Sequence, residues 1–260
     1  MTGGSVGLSG SERKIAPSAG SSDPYRDRRL PAGRPASWEA AERRWELAQV
    51  ETGRYRLFWE KMSGAMVLEL LLDEMQIPFE RVAIDMAAGA HRSRAYLAVN
   101  LTGQVPALAF PSGEVIGETA AIIIALGERH PETPLVPGPD HPDRTTFLRW
   151  LIYMAVSPYM TFVQLNHPER FLDDPGAHPA LIDNARKRLL DQFTLLDRAI
   201  AGRPFFLAGG ISALDLYTYM LIEFFGDDPV ALADRPRLAR LHGAVAKRNS
   251  AAQVRPLHGS

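Results

Sequence analysis

The chain of 260 residues contains no cysteine. This absence excludes disulfide bonds, thiolate metal sites, CxxC redox pairs and a cysteine nucleophile, because each of them needs a sulfur on the protein. Reactions that pass through a mixed disulfide with the protein are excluded for the same reason. Any thiol chemistry performed by this chain therefore uses the sulfur of another molecule.

An excess of one charge is also missing. Lys and Arg together number 29, Asp and Glu together number 30, and the formal net charge is −1. Without a positive field, the chain has no general attraction for the phosphates of nucleic acid or for an anionic membrane surface. We therefore expect neither a nucleic-acid partner nor a membrane partner.

Long apolar runs and metal-binding spacings are absent too. One of the two longest uncharged stretches, residues 150–168, contains Ser157, Pro158 and two amide side chains. A membrane-spanning helix needs roughly 20 mostly apolar residues, so we predict a buried helix with a kink at Pro158. The N-terminus lacks the apolar core of a signal peptide, which favours a cytoplasmic location. The seven histidines lack metal-ligand spacing, and we predict no metal site.

The first 53 residues differ in composition from the rest of the chain. Residues 1–37 include 17 that are Pro, Gly or Ser and few that are bulky and apolar, which predicts disorder. A short helix follows over 37–50, with Trp38 and Trp45 on one stripe. We expect a mostly disordered extension over 1–53 with one helix in it.

Two folded parts follow the extension. Residues 54–130 show strand and helix patterns in the order β-α-β-α-β-β-α. From residue 142 to residue 250 only helical spacing recurs, with the last helix predicted over 237–247. The fold class is therefore α+β, with a mixed N-terminal domain and an all-helical C-terminal domain.

The segment Asn100–Leu108, with the sequence NLTGQVPAL, resembles a motif of the cytosolic glutathione transferase family, bacterial type. The resemblance implies a thioredoxin-like βαβ-ββα domain followed by a helical bundle. In that family the valine–proline bond is cis, and proline makes this isomer accessible. The resemblance makes Gln104, Val105 and Pro106 candidates for binding glutathione. The alternative is that Pro106 simply begins an edge strand.

A second segment, Gly117–Ile122, is similar to the acidic-then-hydroxyl pair that precedes the third helix in the same family. A helix N-terminus attracts an anion, and a neighbouring carboxylate attracts an ammonium group. The resemblance implies that Glu118 binds the ammonium and Thr119 the carboxylate of the γ-glutamyl end of glutathione. The two residues would also serve as an ordinary helix cap.

A third signal is structural. Ser212 and Asp215 have the [ST]-x-x-[DE] spacing of a capping box, which is similar to the capping box in the C-terminal domain of the family.

Ser63 is the candidate catalytic residue. The family places a hydroxyl or a cysteine after the first strand, and this sequence lacks the cysteine that the bacterial pattern would place near Met66. As a catalyst, Ser63 would donate its hydroxyl hydrogen to the sulfur of glutathione. As a structural residue, it would cap the first helix.

The resemblance implies a glutathione transferase activity. Glutathione would be the co-substrate, without a metal, and its thiol would attack a small hydrophobic electrophile. A homodimer is expected from the same resemblance. The alternative is a non-catalytic protein-interaction module in which Trp38 and Trp45 dock a partner. Weaker candidates for the glycyl carboxylate and the electrophile pocket are His91, Arg92, Ser93, Arg94, Tyr153, Tyr159, Phe162 and His167.

Overall fold

The computed structural model describes residues 53–226 and 229–259. The predicted disorder of residues 1–37 and the predicted helix bearing Trp38 and Trp45 lie outside the described residues.

The mixed domain has the predicted order of strands and helices. Its elements are β1 (Tyr55–Trp59), α1 (Ala65–Glu74), β2 (Phe79–Ala83), α2 (Arg94–Val99), β3 (Ala107–Ala109), β4 (Val115–Gly117) and α3 (Thr119–Arg129). The strand order in the sheet is β2-β1-β3-β4. The β1–β2 pair is parallel, and the other two pairs are antiparallel. A parallel pair needs a crossover, which α1 supplies, while β3 and β4 form a hairpin.

The C-terminal domain is entirely helical in the residues that the structure describes. Its α-helices are α4 (Arg144–Val156), α5 (Pro158–Asn166), α6 (His178–Ala199), α7 (Ala213–Phe224), α8 (Pro236–Val245) and α9 (Asn249–His258). The α+β prediction is confirmed. None of the described helices is long and apolar enough to cross a membrane.

Two helical predictions need correction. The stretch 150–168 is not one kinked helix, because α4 ends at Val156 and Pro158 is the first residue of α5. Proline suits a first helical position, where its missing N–H costs no hydrogen bond. The helix predicted over 237–247 is present as α8, but it is not the last helix, because α9 begins at Asn249 and runs past the predicted end of the domain at residue 250.

The sequence pattern did not reveal α9, because its buried face is small or polar. That face consists of Ser250, Ala251, Val254 and His258, and Pro256 lies inside the helix. Apolar periodicity is the main signal for a helix, and α9 lacks it.

The core is continuous between the two domains. Residues 65–72 of α1 are all buried, as are residues 213–222 of α7. Helix α1 packs against α3 on the N-terminal side and against α7 and α9 on the C-terminal side. The loop between β1 and α1 is therefore held where the two domains meet.

Candidate active site

Ser63 lies in the loop before α1, and its hydroxyl group hydrogen bonds within that loop. Its Oγ donates to the carbonyl of Glu60 at 2.7 Å and accepts the N–H of Ala65 at 3.2 Å. The side chain is buried. This arrangement stabilises the turn that leads into α1. The N-cap residue of α1 is Gly64, so Ser63 lies one residue before the cap position that the sequence predicted for it.

The Val105–Pro106 peptide bond is cis. In the part of the chain that the structure describes, neither the N–H nor the C=O of Val105 has a hydrogen-bond partner. Strand β3 begins at Ala107, so these two groups lie just outside the ladder that β3 forms with β1. An unpaired donor and acceptor on one residue can pair with an extended peptide as a strand does.

The residue next to Val105 has a supporting role in the structure. The carbonyl of Gln104 accepts the hydroxyl of Tyr96 at 2.6 Å and the amide of Asn100 at 2.9 Å. Burial raises the pKa of Tyr96 to about 12, so this hydroxyl remains a donor at neutral pH. These bonds position the backbone that leads into the cis bond, while the Gln104 side chain is exposed.

Glu118 precedes α3 and has an unusual backbone conformation. Its φ is 64° and its ψ is 109°, in a region that a residue other than glycine seldom adopts and that is concentrated at functional sites. The Glu118 side chain is exposed, and Thr119 is half-buried beside it. The first N–H groups of α3 have no partner within the helix, as at every helix start.

Gly64 brings these segments together. A Cβ atom placed on Gly64 would lie 2.6 Å from Oγ1 of Thr119, 3.3 Å from Cδ of Pro106 and 3.5 Å from the hydroxyl of Tyr159. The start of α1, the cis bond, the start of α3 and helix α5 therefore meet around one glycine. The sequence did not identify Gly64 as the point where these segments meet, since nothing local marks a close approach of distant segments.

Tyr159 was a weak candidate for the electrophile pocket, and the structure places it at the start of α1. Its hydroxyl accepts the N–H of Gly64 at 2.9 Å. Burial raises the pKa of Tyr159, although the Gly64 N–H and the charge of Arg170 act in the opposite direction. The amides of Gly64 and Ala65 are thus bonded to Tyr159 and Ser63.

A second tyrosine lies close by on α7. Burial raises the pKa of Tyr217 well above its ordinary value, and nearby Tyr159 and Glu118 raise it further. The charge of Glu118 therefore acts on Tyr217, although the Glu118 side chain is exposed. Both phenols therefore remain protonated at neutral pH.

The capping box is confirmed. Asp215 accepts the N–H of Ser212 at 2.7 Å, and its other oxygen accepts the N–H of Phe206 at 2.6 Å. Burial raises the pKa of Asp215 to about 6, against the opposing effect of these hydrogen bonds. The box fixes the start of α7 and has no part in the cleft around Gly64.

Comparisons with known proteins agree with this geometry. A model of the family "Glutathione S-transferase, N-terminal domain" matches residues 65–129. Glutathione S-transferase 1 of Dianthus caryophyllus is 33% identical over 215 residues, which cover 77% of this chain and 91% of the relative. The chain belongs to the glutathione S-transferase superfamily.

Other members of the superfamily are similar over most of their length. The uncharacterized GST-like protein YncG of Escherichia coli (strain K12) is 28% identical over 155 residues, 59% of this chain and 74% of the relative. A sphingomonad glutathione S-transferase, solved in complex with glutathione, has a TM-score of 0.66 and 26% identity, covering 78% of this chain and 98% of that one. A glutathione transferase homolog from sulfitobacter, solved with bound glutathione, has a TM-score of 0.72 and 19% identity. The match covers 79% of this chain and 99% of that one.

Three of the weaker candidates make other contacts in the structure. Phe162 is buried among the aromatic rings of Phe193, Phe224 and Phe225, so it is a core residue. His167 is exposed and pairs with Glu169. Ser93 caps α2, since its hydroxyl accepts the N–H of Tyr96.

Of the remaining weaker candidates, the structure gives contacts for Tyr153 and electrostatic surroundings for His91. Tyr153 is half-buried and packs edge-on against Trp150. His91 has a buried Nδ1 without a partner in the described part of the chain. Burial, followed by the charges of Arg92 and Arg170, lowers the pKa of His91. Arg170 therefore acts on both His91 and Tyr159.

Proposed function

We propose that this protein binds glutathione in the cleft around Gly64 and activates its thiol for attack on a small hydrophobic electrophile. The observation that carries the proposal is the unpaired backbone of Val105, beside the cis proline and next to the start of α1. Its N–H and C=O would pair with the cysteinyl backbone of glutathione. Such pairing places the thiol at the first turn of α1, where the partial positive charge of a helix N-terminus favours an anion.

The γ-glutamyl end would bind at the start of α3. The hydroxyl and N–H of Thr119 would receive the carboxylate, and the carboxylate of Glu118 would receive the ammonium group. Thr119 already lies against Gly64, so the γ-glutamyl and cysteinyl positions are adjacent. Gln104 is exposed beside Val105, and its side chain is the proposed contact for the next part of the tripeptide.

Thiol activation requires stabilisation of the thiolate. An ordinary thiol has a pKa of about 8.5 and is mostly protonated at neutral pH. One charge-assisted hydrogen bond is worth about 1.5–3 kcal/mol, which corresponds to roughly one to two pKa units. A single hydroxyl is therefore sufficient. Ser63 is the hydroxyl that the sequence suggests for this role, but its hydrogen would first have to turn from the carbonyl of Glu60 to the sulfur.

Calorimetric titration with glutathione tests the proposal. Wild-type protein is expected to bind, and Glu118→Gln and Thr119→Val are each expected to weaken binding by about ten- to a hundredfold, the equivalent of one charge-assisted hydrogen bond. Glu128→Gln, near the other end of α3, is the matched control. Absence of heat with the wild type, or equal affinities for all four proteins, contradicts the proposal.

A non-catalytic interaction module is the second candidate. The observation that favours it is the Ser63 hydroxyl, which is bonded within its own loop. In that case no ultraviolet absorbance of a thiolate is expected when glutathione is added, whether or not glutathione binds. Thiolate absorbance in the wild-type complex decides for the transferase.

We further propose a cytoplasmic homodimer. Ile152 and Val156 of α4, four residues apart, are 46% and 62% exposed, and Met160 of α5 is 41% exposed. Apolar side chains grouped on a surface are typical of an interface between proteins. Ile152→Lys with Val156→Lys should give a monomer in sedimentation equilibrium, whereas Leu195→Lys, on α6, should not. A dimeric double variant argues against this interface.

A further inference from the structure

We propose that Tyr159, a residue of the helical domain, donates the hydrogen bond that stabilises the thiolate of bound glutathione. This inference rests on the proposed function and names the catalytic residue of the same site. It replaces Ser63, the residue that the sequence suggests, with one that is distant in the chain and supplied by α5.

The Ser63 hydroxyl is fully used by the loop. Its hydrogen is donated to Glu60 and its oxygen receives the Ala65 N–H. A serine hydroxyl has one hydrogen, so donation to a sulfur would break the bond to Glu60. The carbonyl of Glu60 would then lose this partner, at a cost comparable to the gain.

The Tyr159 hydroxyl, unlike that of Ser63, does not use its hydrogen in a hydrogen bond within the described part of the chain. It receives the N–H of Gly64 and so acts as an acceptor there. In the part of the chain that the structure describes, its own hydrogen has no acceptor. A buried hydroxyl normally donates as well as accepts. The phenol therefore has one donor left for a ligand.

The position of this donor agrees with the proposed position of the sulfur. The Tyr159 oxygen lies 3.5 Å from the point that a Cβ of Gly64 would occupy, and the same point is bounded by Thr119 and Pro106. Those two residues belong to the proposed γ-glutamyl and cysteinyl sites. The tyrosine is only partly buried, and its hydroxyl is the part that lies at Gly64.

The charges around Tyr159 suit a donor. Burial raises the pKa of the phenol, so it keeps its hydrogen at neutral pH. The Gly64 N–H polarises the phenol oxygen, which makes the O–H a stronger donor. The positive charge of Arg170 also acts at this hydroxyl, and a cation favours a thiolate beside it.

In the proposed reaction the tyrosine is neither consumed nor ionised. The thiol proton passes to water and the electron pair stays on sulfur, with the Tyr159 O–H directed at that pair. The sulfur then forms a bond to the electrophilic carbon, and the electrons displaced there go to the leaving group or to the adjacent acceptor atom. Tyr159 keeps its own hydrogen throughout.

Tyr159→Phe, compared with Ser63→Ala, tests the inference. The pKa of the bound thiol is measured from thiolate absorbance against pH. Tyr159→Phe should raise it by about one to two units, the equivalent of one charge-assisted hydrogen bond, while Ser63→Ala leaves it unchanged. Tyr219→Phe, which removes a tyrosine hydroxyl elsewhere in the helical domain, is the control. An unchanged thiol pKa in Tyr159→Phe, or a raised one in Ser63→Ala, overturns the inference.

A second measurement separates catalysis from structure. S-Methylglutathione has the same peptide backbone but cannot form a thiolate. Tyr159→Phe should bind it as the wild type does, and should bind glutathione about tenfold or more weakly at a pH where the thiol is ionised. Equal loss for both ligands would show that Tyr159 only supports the cleft. If the wild type binds neither ligand, the proposed function itself fails.

Discussion

His258, at the end of α9, is expected to stabilise the protein through a buried cluster with Glu69 of α1. His258 is 3% exposed and Glu69 is 0% exposed. The Nε2 of His258 lies 2.5 Å from one oxygen of Glu69, and the Nε of Arg81 lies 2.5 Å from the other. The Nδ1 of His258 accepts the N–H of Met62 at 3.1 Å. Since Nδ1 accepts, Nε2 carries the hydrogen that is donated to Glu69.

The expected effect of His258→Ala follows from the bonds it removes. A hydrogen bond to a charged group contributes about 1.5–3 kcal/mol, and the Met62 bond contributes about 0.5–1.5 kcal/mol. Arg81 still pairs with the carboxylate, so no buried charge is left alone, and the loss is the sum of the two bonds, about 2–4.5 kcal/mol. For a protein of this size the melting temperature should fall by roughly 5–15 °C.

Thermal denaturation followed by circular dichroism measures the change. His141→Ala is the matched control, because His141 is exposed and its Nδ1 only accepts the N–H of Asp143 in a loop. The control should stay within about 0.5 kcal/mol of the wild type. If His258→Ala has the same melting temperature as the control, the buried cluster does not hold α9 to α1, and the reasoning is refuted.

Three other substitutions have defined expectations. Asp215→Ala leaves two buried backbone N–H groups unpaired and should cost about 2–5 kcal/mol, measured by urea denaturation; a loss below about 1 kcal/mol would contradict the role of the capping box. Gly64→Ala should weaken glutathione binding by tenfold or more in calorimetry. Its Cβ would lie 2.6 Å from Oγ1 of Thr119, and a displaced Thr119 would lose about one charged hydrogen bond to glutathione. Unchanged affinity would show that the binding site is elsewhere. Gly127→Ala should cost about 1–3 kcal/mol through overpacking, because its Cβ would lie 2.4 Å from Val136; a melting temperature equal to that of the wild type would contradict this.

Much of the fold could be predicted from local patterns. The apolar spacing of α1 and the proline that follows it, the turn between β3 and β4, and the capping box at Ser212 are short-range signals, and the structure confirms each of them. The cis bond between Val105 and Pro106 was implied by the resemblance of its segment to the family motif, and proline makes that isomer accessible. Helix α9 was missed because small and polar residues form its buried face.

The arrangement of the cleft could not be read from the sequence. Gly64 receives its partner from Tyr159, which is 95 positions away, and Met62 receives its partner from His258, which is 196 positions away. Residue type and spacing determined where helices and strands begin, since those depend on neighbours within a few positions. Only the tertiary structure decided which hydroxyl beside α1 keeps a hydrogen free to donate. The packing of the helical domain against α1 sets this, because burial and hydrogen-bond partners come from residues far apart in the chain.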